Sequence, residues 1–133
     1  MGVILILLDT HVLFWAAYDP KRLSRAAASE MRRVRRHQGL AISAISLWEL
    51  SWMLAKGRIL SYGSIETSLR MLVEGVVIRP ITPEIAALAT QFPDDYPHDP
   101  ADRLIGATAR AEGMTLVTRD ERVRRSPLLR TLW

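Results

Sequence analysis

The chain has 133 residues, of which 49% are hydrophobic and 24% are charged, a balance typical of one soluble globular domain. It contains no cysteine, which excludes disulfide bonds, thiolate zinc sites and a cysteine nucleophile and fits a cytoplasmic location. The formal net charge of +4 favours phosphate-rich partners. No apolar run approaches the ~20 residues of a transmembrane helix, so we expect no membrane contact. The length predicts a single domain over residues 1–133.

The first half of the chain alternates short apolar runs, which predict strands, with amphipathic segments, which predict helices. The predicted strands are Val3–Leu8 and Leu40–Ile42. The predicted helices are Thr10–Ala17, the segment from Ser24 through Arg36, and Ala44–Lys56. Ser24 and Ser43 fit helix N-caps, whereas Gly39 and Gly57 fit positions just past helix ends.

The same alternation continues in the second half. The predicted strands are Val76–Arg79, Met114–Thr118 and a short edge strand within Leu128–Trp133. The predicted helices are Ser64–Glu74, one that begins at Thr82 and Pro83, and one from Asp99 to near Gly113. Strands that alternate with helices predict an α/β fold, with a mostly parallel central sheet of four to five strands flanked by helices.

Four acidic residues fall where a parallel sheet gathers its ligands, near the carboxyl ends of the strands. Asp9 directly follows the first predicted strand, and Asp120 lies two residues beyond Thr118, where the fourth strand ends. Asp102 lies in the first turn of the helix before that strand. Glu49 lies in a largely apolar helix, where a carboxylate needs a partner. We therefore expect these four carboxylates to converge.

Each of these carboxylates also fits a purely structural role. Asp9 fits the N-cap of the next helix, Asp120 fits a turn, and Glu49 fits a position that reaches solvent. Asp99 and Asp102 have the spacing of a capping box, with Asp99 at the N-cap. Capping and turn roles are thus the alternative to a shared site.

Converging carboxylates repel one another, so the site must either protonate some of them or bind a cation. Oxygen-only ligands suit Mg²⁺, with Mn²⁺ as the alternative, rather than zinc. Such a cluster in a basic protein predicts metal-assisted chemistry on a phosphate ester. The sequence has no phosphate-binding glycine loop, no HExxH motif and no nucleophile elbow.

Five segments, in this order, resemble the PIN-domain family, and within it the VapC toxins of type II toxin–antitoxin pairs. They are Leu7–His11 with Phe14 and Trp15, Ser43–Leu50, Lys56–Arg58, His98–Ala109 and Leu116–Asp120. The ordered set spans nearly the whole chain, which is thereby identified as a single PIN domain over residues 1–133. The resemblance implies a Rossmann-like sheet and a Mg²⁺-dependent endoribonuclease that a partner antitoxin holds in check.

The resemblance also implies roles for individual residues. Four positions match the family's acidic quartet, whose members are catalytic and bind the metal: Asp9, Glu49, Asp102 and Asp120. Asp99 is a further carboxylate that can join the metal site, and Thr118 matches the small hydroxyl residue beside it. We expect Thr118 to contact the substrate as well, and three arginines to hold the RNA backbone: Arg58, Arg103 and Arg119.

Together these features predict a ribonuclease in which a metal-activated water hydrolyses phosphodiester bonds of tRNA, rRNA or mRNA, leaving a 5′-phosphate and a 3′-hydroxyl. The expected protein partners are a VapB-like antitoxin and a second copy of the chain in a homodimer. The predicted antitoxin groove is the apolar helix surface that includes Trp15, Trp48, Trp52 and Met53. Two alternatives stay open: a non-catalytic module that binds RNA or an antitoxin, and a small-molecule phosphatase. His11, where an Asp-x-Asp pair would need aspartate, disfavours the phosphatase.

Overall fold

The computed structural model describes residues 4–57 and 63–133, and within these ranges strands alternate with helices. The strands are β1 Ile6–Leu8, β2 Leu40–Ser43, β3 Val77–Arg79, β4 Thr115–Val117 and β5 Thr131–Leu132. The α-helices are α1 Thr10–Tyr18, α2 Arg25–Arg35, α3 Ala44–Ala55, α4 Ile65–Leu72, α5 Pro83–Ala89, α6 Pro100–Glu112 and α7 Glu121–Arg124. A 3-10 turn, Pro20–Arg22, follows α1. None of the helices in the described ranges is long and apolar enough to cross a membrane.

The five strands form one parallel sheet in the order β3-β2-β1-β4-β5. The central strand is β1, where Leu7 pairs with Ala41 of β2 on one side and with Leu116 of β4 on the other. The chain therefore builds the sheet outward in both directions, and the order reverses between β1 and β4. Connections that leave in opposite directions at such a point open a crevice beyond the carboxyl ends of the strands. The predicted α/β fold with a parallel sheet is confirmed.

Successive strand residues face opposite sides of the sheet and build two separate cores. On one side, Leu8 and Ile42 pack against α1, α2 and α3. On the other side, Leu7 and Leu116 pack against α5 and α6. Because helices cover both faces, both sets of strand side chains are apolar, which explains the uninterrupted apolar run before Asp9.

Side-chain caps confirm four of the predicted helix starts. Four hydroxyl residues accept a hydrogen bond from a backbone N–H of the first helical turn: Ser24, Ser43, Ser64 and Thr82. Element boundaries differ from the predictions by a few residues, as at β1, which begins at Ile6, while Val3 lies outside the described residues. The short helix α7 has no counterpart among the predicted elements, because four residues are too few to show a helical period.

The residue that ends α2 in the left-handed conformation is not the predicted glycine. Gln38, rather than Gly39, takes the left-handed conformation, with φ of 56°. The N–H of Gly39 donates back to the carbonyl of Val34 at 2.8 Å, which closes the helix. A Cβ on Gly39 would lie 2.7 Å from the carbonyl oxygen of Ile4, so glycine is required here for close approach between backbones.

Candidate active site

A cleft of about 500 Å³ opens beyond the carboxyl ends of β1 and β4, where the strand order reverses. All five predicted carboxylates line it: Asp9, Glu49, Asp99, Asp102 and Asp120. The remaining lining residues are His11, Val12, Trp15 and Arg119. The fold thus brings together acidic residues that follow two strands and that lie on two helices, as the sequence predicts.

Asp9 occupies the N-cap position of α1, but its side chain makes no capping hydrogen bond. Its carboxylate instead accepts a hydrogen bond of 2.9 Å from the hydroxyl of Thr118, which is fully buried. That hydroxyl in turn accepts the backbone N–H of Asp120 at 3.1 Å. Burial raises the pKa of Asp9 above its ordinary value, although the bond from Thr118 and the nearby His11 act in the opposite direction. The capping alternative for Asp9 is therefore wrong.

A second buried threonine holds Glu49. The hydroxyl of Thr10 donates to Oε1 of Glu49 at 2.5 Å, and it lies 2.8 Å from Oγ of Ser46. Because a hydroxyl carries one proton, Thr10 donates to Glu49 and accepts from Ser46. Burial raises the pKa of Glu49, the Thr10 bond lowers it, and the charges of Asp9 and Asp99 raise it further. Glu49 therefore belongs to the cleft and does not simply reach solvent.

Asp102 is partly buried among other carboxylates of the cleft. Burial, the largest cause, and the charges of four carboxylates together raise its pKa to about 7; the four are Asp9, Asp99, Asp120 and Glu49. The part of this shift that comes from the neighbouring carboxylates shows that they repel one another when they are ionised. The cleft can relieve that repulsion by holding a proton near neutral pH or by binding a cation.

Asp99 and Asp120 line the cleft and also cap helices. Oδ1 of Asp99 accepts the N–H groups of Ala101 and Asp102, at 2.8 and 3.2 Å, at the start of α6. Oδ1 of Asp120 does the same at the start of α7, with the N–H of Arg122 at 2.8 Å. Both caps use Oδ1, and no residue within 4–57 or 63–133 donates a hydrogen bond to Oδ2 of either side chain. The capping role and a ligand role are therefore compatible in the same side chain.

The donor chemistry of the cleft fits a hard divalent cation. Its candidate ligands are carboxylate oxygens, the atoms that Mg²⁺ and Mn²⁺ prefer, and the pKa values of Asp9, Glu49 and Asp102 are all raised. Across residues 4–57 and 63–133, however, no three acidic or histidine side chains are close enough together to hold a metal ion. Coordination therefore requires these side chains to draw together.

The three arginines expected to hold RNA have different surroundings. Arg119 lines the cleft, and its guanidinium carbon lies 5.8 Å from the centre of the Trp15 ring. The guanidinium of Arg103 instead donates to three backbone carbonyls of segment 92–97. Arg103 therefore secures the chain before α6, which corrects the expectation that it faces RNA. Arg58 lies outside the described residues.

Sequence reasoning missed Tyr96, which is only 2% exposed and lies beneath Asp102. Its hydroxyl donates to the backbone carbonyl of Asp102 at 3.2 Å, and its ring stacks on Phe92 with centres 4.2 Å apart. Gly106, one turn further along α6, makes room for this contact, because a Cβ there would overlap the Tyr96 hydroxyl. A glycine inside a helical pattern was the available signal.

A smaller groove of about 180 Å³ adjoins the cleft along α3. Trp48 and Trp52 line it with 60% and 49% of their surfaces exposed, and their rings meet edge to face at 6.1 Å. Met53 also lines it but is buried, and Trp15 lines the cleft instead. Two residues line both the groove and the cleft: His11 and Glu49. The predicted antitoxin surface is therefore smaller than expected, and it adjoins the carboxylates.

Comparisons with known proteins agree with the geometry. The family model for the PIN domain matches residues 6–127. Ribonuclease VapC22 of Mycobacterium tuberculosis (strain ATCC 25618 / H37Rv) is 42% identical over 130 residues, which cover 96% of this chain and 98% of that protein.

Solved structures share the fold at lower identity. VapBC2 from Rickettsia felis, bound to a DNA fragment from their promoter, has a TM-score of 0.76 at 19% identity, with coverage of 97% of this chain and 98% of that one. A toxin–antitoxin complex from Klebsiella pneumoniae has a TM-score of 0.68 at 23% identity, with coverage of 96% of each chain. At these identities the likeness is one of fold.

Proposed function

The chain belongs to the PIN-domain family, and from that premise we propose that it is a Mg²⁺-dependent endoribonuclease, the VapC-type toxin of a toxin–antitoxin pair. The observation that carries this proposal is the convergence of five carboxylates in one cleft beyond β1 and β4. The 42% identity to a ribonuclease over nearly the full length of both chains supports RNA as the substrate. Mn²⁺ is the alternative cation, because it accepts the same oxygen ligands.

Asp9, Asp102 and Asp120 are the proposed main ligands of the cation. Glu49 either completes this set or orients water, and Asp99 can contribute Oδ2, which its capping bonds leave available. When bound, Mg²⁺ would polarise the phosphoryl oxygen and lower the pKa of a water molecule. The hydrolysis would leave a 5′-phosphate and a 3′-hydroxyl.

The two buried threonines orient the carboxylates. Thr118 donates to Oδ2 of Asp9, and Thr10 donates to Oε1 of Glu49. The other oxygen of each carboxylate, Oδ1 or Oε2, is the one proposed to bind a ligand. Each threonine hydroxyl is fixed by a further partner, so rotation of the two carboxylates is restricted. The second oxygen of Glu49, Oε2, can accept a proton from the attacking water.

The groove beside the cleft is the proposed docking site for a VapB-like antitoxin. Trp48 and Trp52 offer an apolar surface to one face of an amphipathic helix. Because His11 and Glu49 line both cavities, a segment bound in the groove would lie next to the carboxylates. A cationic side chain of that segment would then neutralise the cleft and block RNA.

We further propose that the chain is one domain over residues 1–133, that it acts in the cytoplasm as a homodimer, and that its substrate is tRNA, rRNA or mRNA.

The proposal is tested by incubating the purified protein with total cellular RNA, with Mg²⁺ or with EDTA, and sequencing the cleaved ends. The expected result is cleavage with Mg²⁺ only, with ends that carry 5′-phosphate. RNA binding that survives EDTA, with no cleavage under either condition, would instead identify a non-catalytic binding module.

A further inference from the structure

A second cavity, of about 520 Å³, lies beside the cleft on the β5 side of the sheet. It is lined by Glu121, Arg124, Arg125, Thr131, Leu132 and Trp133. The ring of Trp133 meets the ring of Trp15 edge to face, with centres 6.0 Å apart, and Trp15 lines the cleft. The two cavities therefore adjoin across this tryptophan pair.

Arg119 lies on the cleft side of the tryptophan pair and is not neutralised by the carboxylates around it. Its guanidinium lies over the Trp15 ring, and no ion pair within 4.0 Å joins it to any carboxylate in the described part of the chain. A guanidinium over an indole keeps its N–H groups free for a ligand. Arg119 can therefore bind an anion that enters or leaves the cleft.

Arg124 and Arg125 lie on the far side of the pair and are exposed. Neither forms an ion pair with a described residue, although Glu121 lines the same cavity. Unpaired arginines next to aromatic rings are the elements with which proteins bind single-stranded nucleic acid, because arginines hold phosphates and rings hold bases.

We propose that this second cavity is an RNA groove, in which Arg124 and Arg125 hold backbone phosphates of a strand whose scissile phosphate lies in the cleft. The strand would pass Arg119 and the Trp15–Trp133 pair on its way between the cavities. The inference rests on the proposed ribonuclease function. Its physical basis is that five carboxylates repel RNA from the cleft itself, so affinity for the strand must come from cations outside it.

The test compares two double variants that lose the same charge. R124Q/R125Q removes both groove cations. R35Q/R36Q removes two exposed arginines at the end of α2, at the edge of the sheet opposite the cleft, where the chain enters β2. Neither pair lines the cleft, so cleavage of an RNA too short to leave the cleft should match wild type in both.

Binding is measured by fluorescence anisotropy with single-stranded RNA in EDTA, over a range of salt concentrations. Loss of two phosphate contacts should lower the slope of log affinity against log salt by about 1.4, since each contact to a single strand contributes about 0.7. At physiological salt the same loss weakens binding about tenfold. R35Q/R36Q should keep the wild-type slope. If R124Q/R125Q and R35Q/R36Q had equal salt slopes, the groove would be overturned. It would also be overturned if R124Q/R125Q lost as much affinity for the short RNA as for the long RNA.

Two further outcomes separate this inference from the function on which it rests. If wild type cleaves RNA with Mg²⁺ while R124Q/R125Q binds long RNA as tightly as R35Q/R36Q does, the groove is wrong and the ribonuclease stands. If wild type neither binds nor cleaves RNA, the proposed function fails and the groove fails with it. Loss of duplex DNA binding without loss of single-stranded RNA binding in R124Q/R125Q would also overturn the inference.

Discussion

The hydroxyl of Thr118 donates a hydrogen bond of 2.9 Å to the carboxylate of Asp9, although 109 positions separate the two residues. The contact exists because β1 and β4 are neighbours in register, with Leu8 opposite Val117. The residues that directly follow these two strands, Asp9 and Thr118, therefore lie at the same edge of the sheet. The orientation of the Asp9 carboxylate is thus tied directly to the pairing of two strands.

Replacing Thr118 with valine should damage both the fold and the site. Thr118→Val removes the hydroxyl that bonds both the buried Asp9 carboxylate and the N–H of Asp120, which costs about 1–3 kcal/mol of folding free energy. RNA cleavage should also fall, because Asp9 loses its fixed orientation. Thr118→Ser keeps the hydroxyl and is the matched control. Denaturant unfolding and single-turnover cleavage measure the two effects, and equal behaviour of the valine and serine variants would contradict them.

Gly106 and Tyr96 should be coupled in a double-mutant cycle. Gly106→Ala places a methyl group on the Tyr96 hydroxyl and should destabilise the fold by about 1–3 kcal/mol. Tyr96→Phe removes that oxygen, so the double variant should recover part of the loss, with a coupling of at least about 0.5 kcal/mol. Chemical denaturation measures all four proteins. A Gly106→Ala variant more stable than wild type, as expected for an unobstructed helix position, would refute the contact.

The positions of Asp9 and Asp120 could be predicted because strands covered on both faces are uniformly apolar, so their carboxyl ends are visible in the sequence. Helix starts could also be predicted, because a capping side chain bonds to a backbone N–H only two or three residues further along the chain. Strand order could not be predicted in the same way, because the residues of β1 do not indicate that β4 is the neighbouring strand. The bond from Thr118 to Asp9 could be found only once that pairing was known.

Arg103 and Tyr96 show where residue type alone is insufficient. An arginine next to an acidic motif has the same sequence signal whether it faces RNA or the backbone. The partners of Arg103 are carbonyls of segment 92–97, and their position depends on how that segment packs on α6. Tyr96 was missed for the same reason, since its contact with Asp102 is made through that segment.

The stability of the metal-free protein should fall as pH rises from about 4 to about 7. Because the pKa of Asp102 is raised from 3.8 to about 7 in the folded protein, the folded state binds a proton that the unfolded state releases. This contribution is complete below pH 3.8 and is lost as pH rises through 7. Thermal melts in EDTA should show the fall, and Mg²⁺ should reverse it at pH 7 and above. Asp102→Asn should flatten the profile, and an unchanged profile in that variant would exclude Asp102 as its cause.

Expression of the chain alone should arrest growth, and a VapB-like antitoxin should relieve the arrest. Trp52→Ala should weaken antitoxin binding by about 2 kcal/mol, because an exposed tryptophan in a groove is a typical energetic centre of an interface. Met71→Ala, which removes an exposed apolar side chain on α4, is the control. Calorimetry measures binding for both variants. Harmless expression of a chain that still cleaves RNA in vitro would show that the toxin assignment is wrong.

The most direct measurement of the central claim, that the carboxylates of the cleft perform metal-dependent RNA cleavage, pairs single-turnover cleavage in Mg²⁺ with thermal melts in EDTA for Asp102→Asn. Asparagine keeps the size of the side chain but loses the charge that a hard cation requires. Cleavage should fall at least about a hundredfold, which corresponds to about 2.7 kcal/mol. Stability should stay within about 1 kcal/mol of wild type, or rise because repulsion is relieved. Asp99→Asn should reduce cleavage less. Near wild-type cleavage by Asp102→Asn together with a lower melting temperature would show that Asp102 only supports its helix, and would contradict the claim.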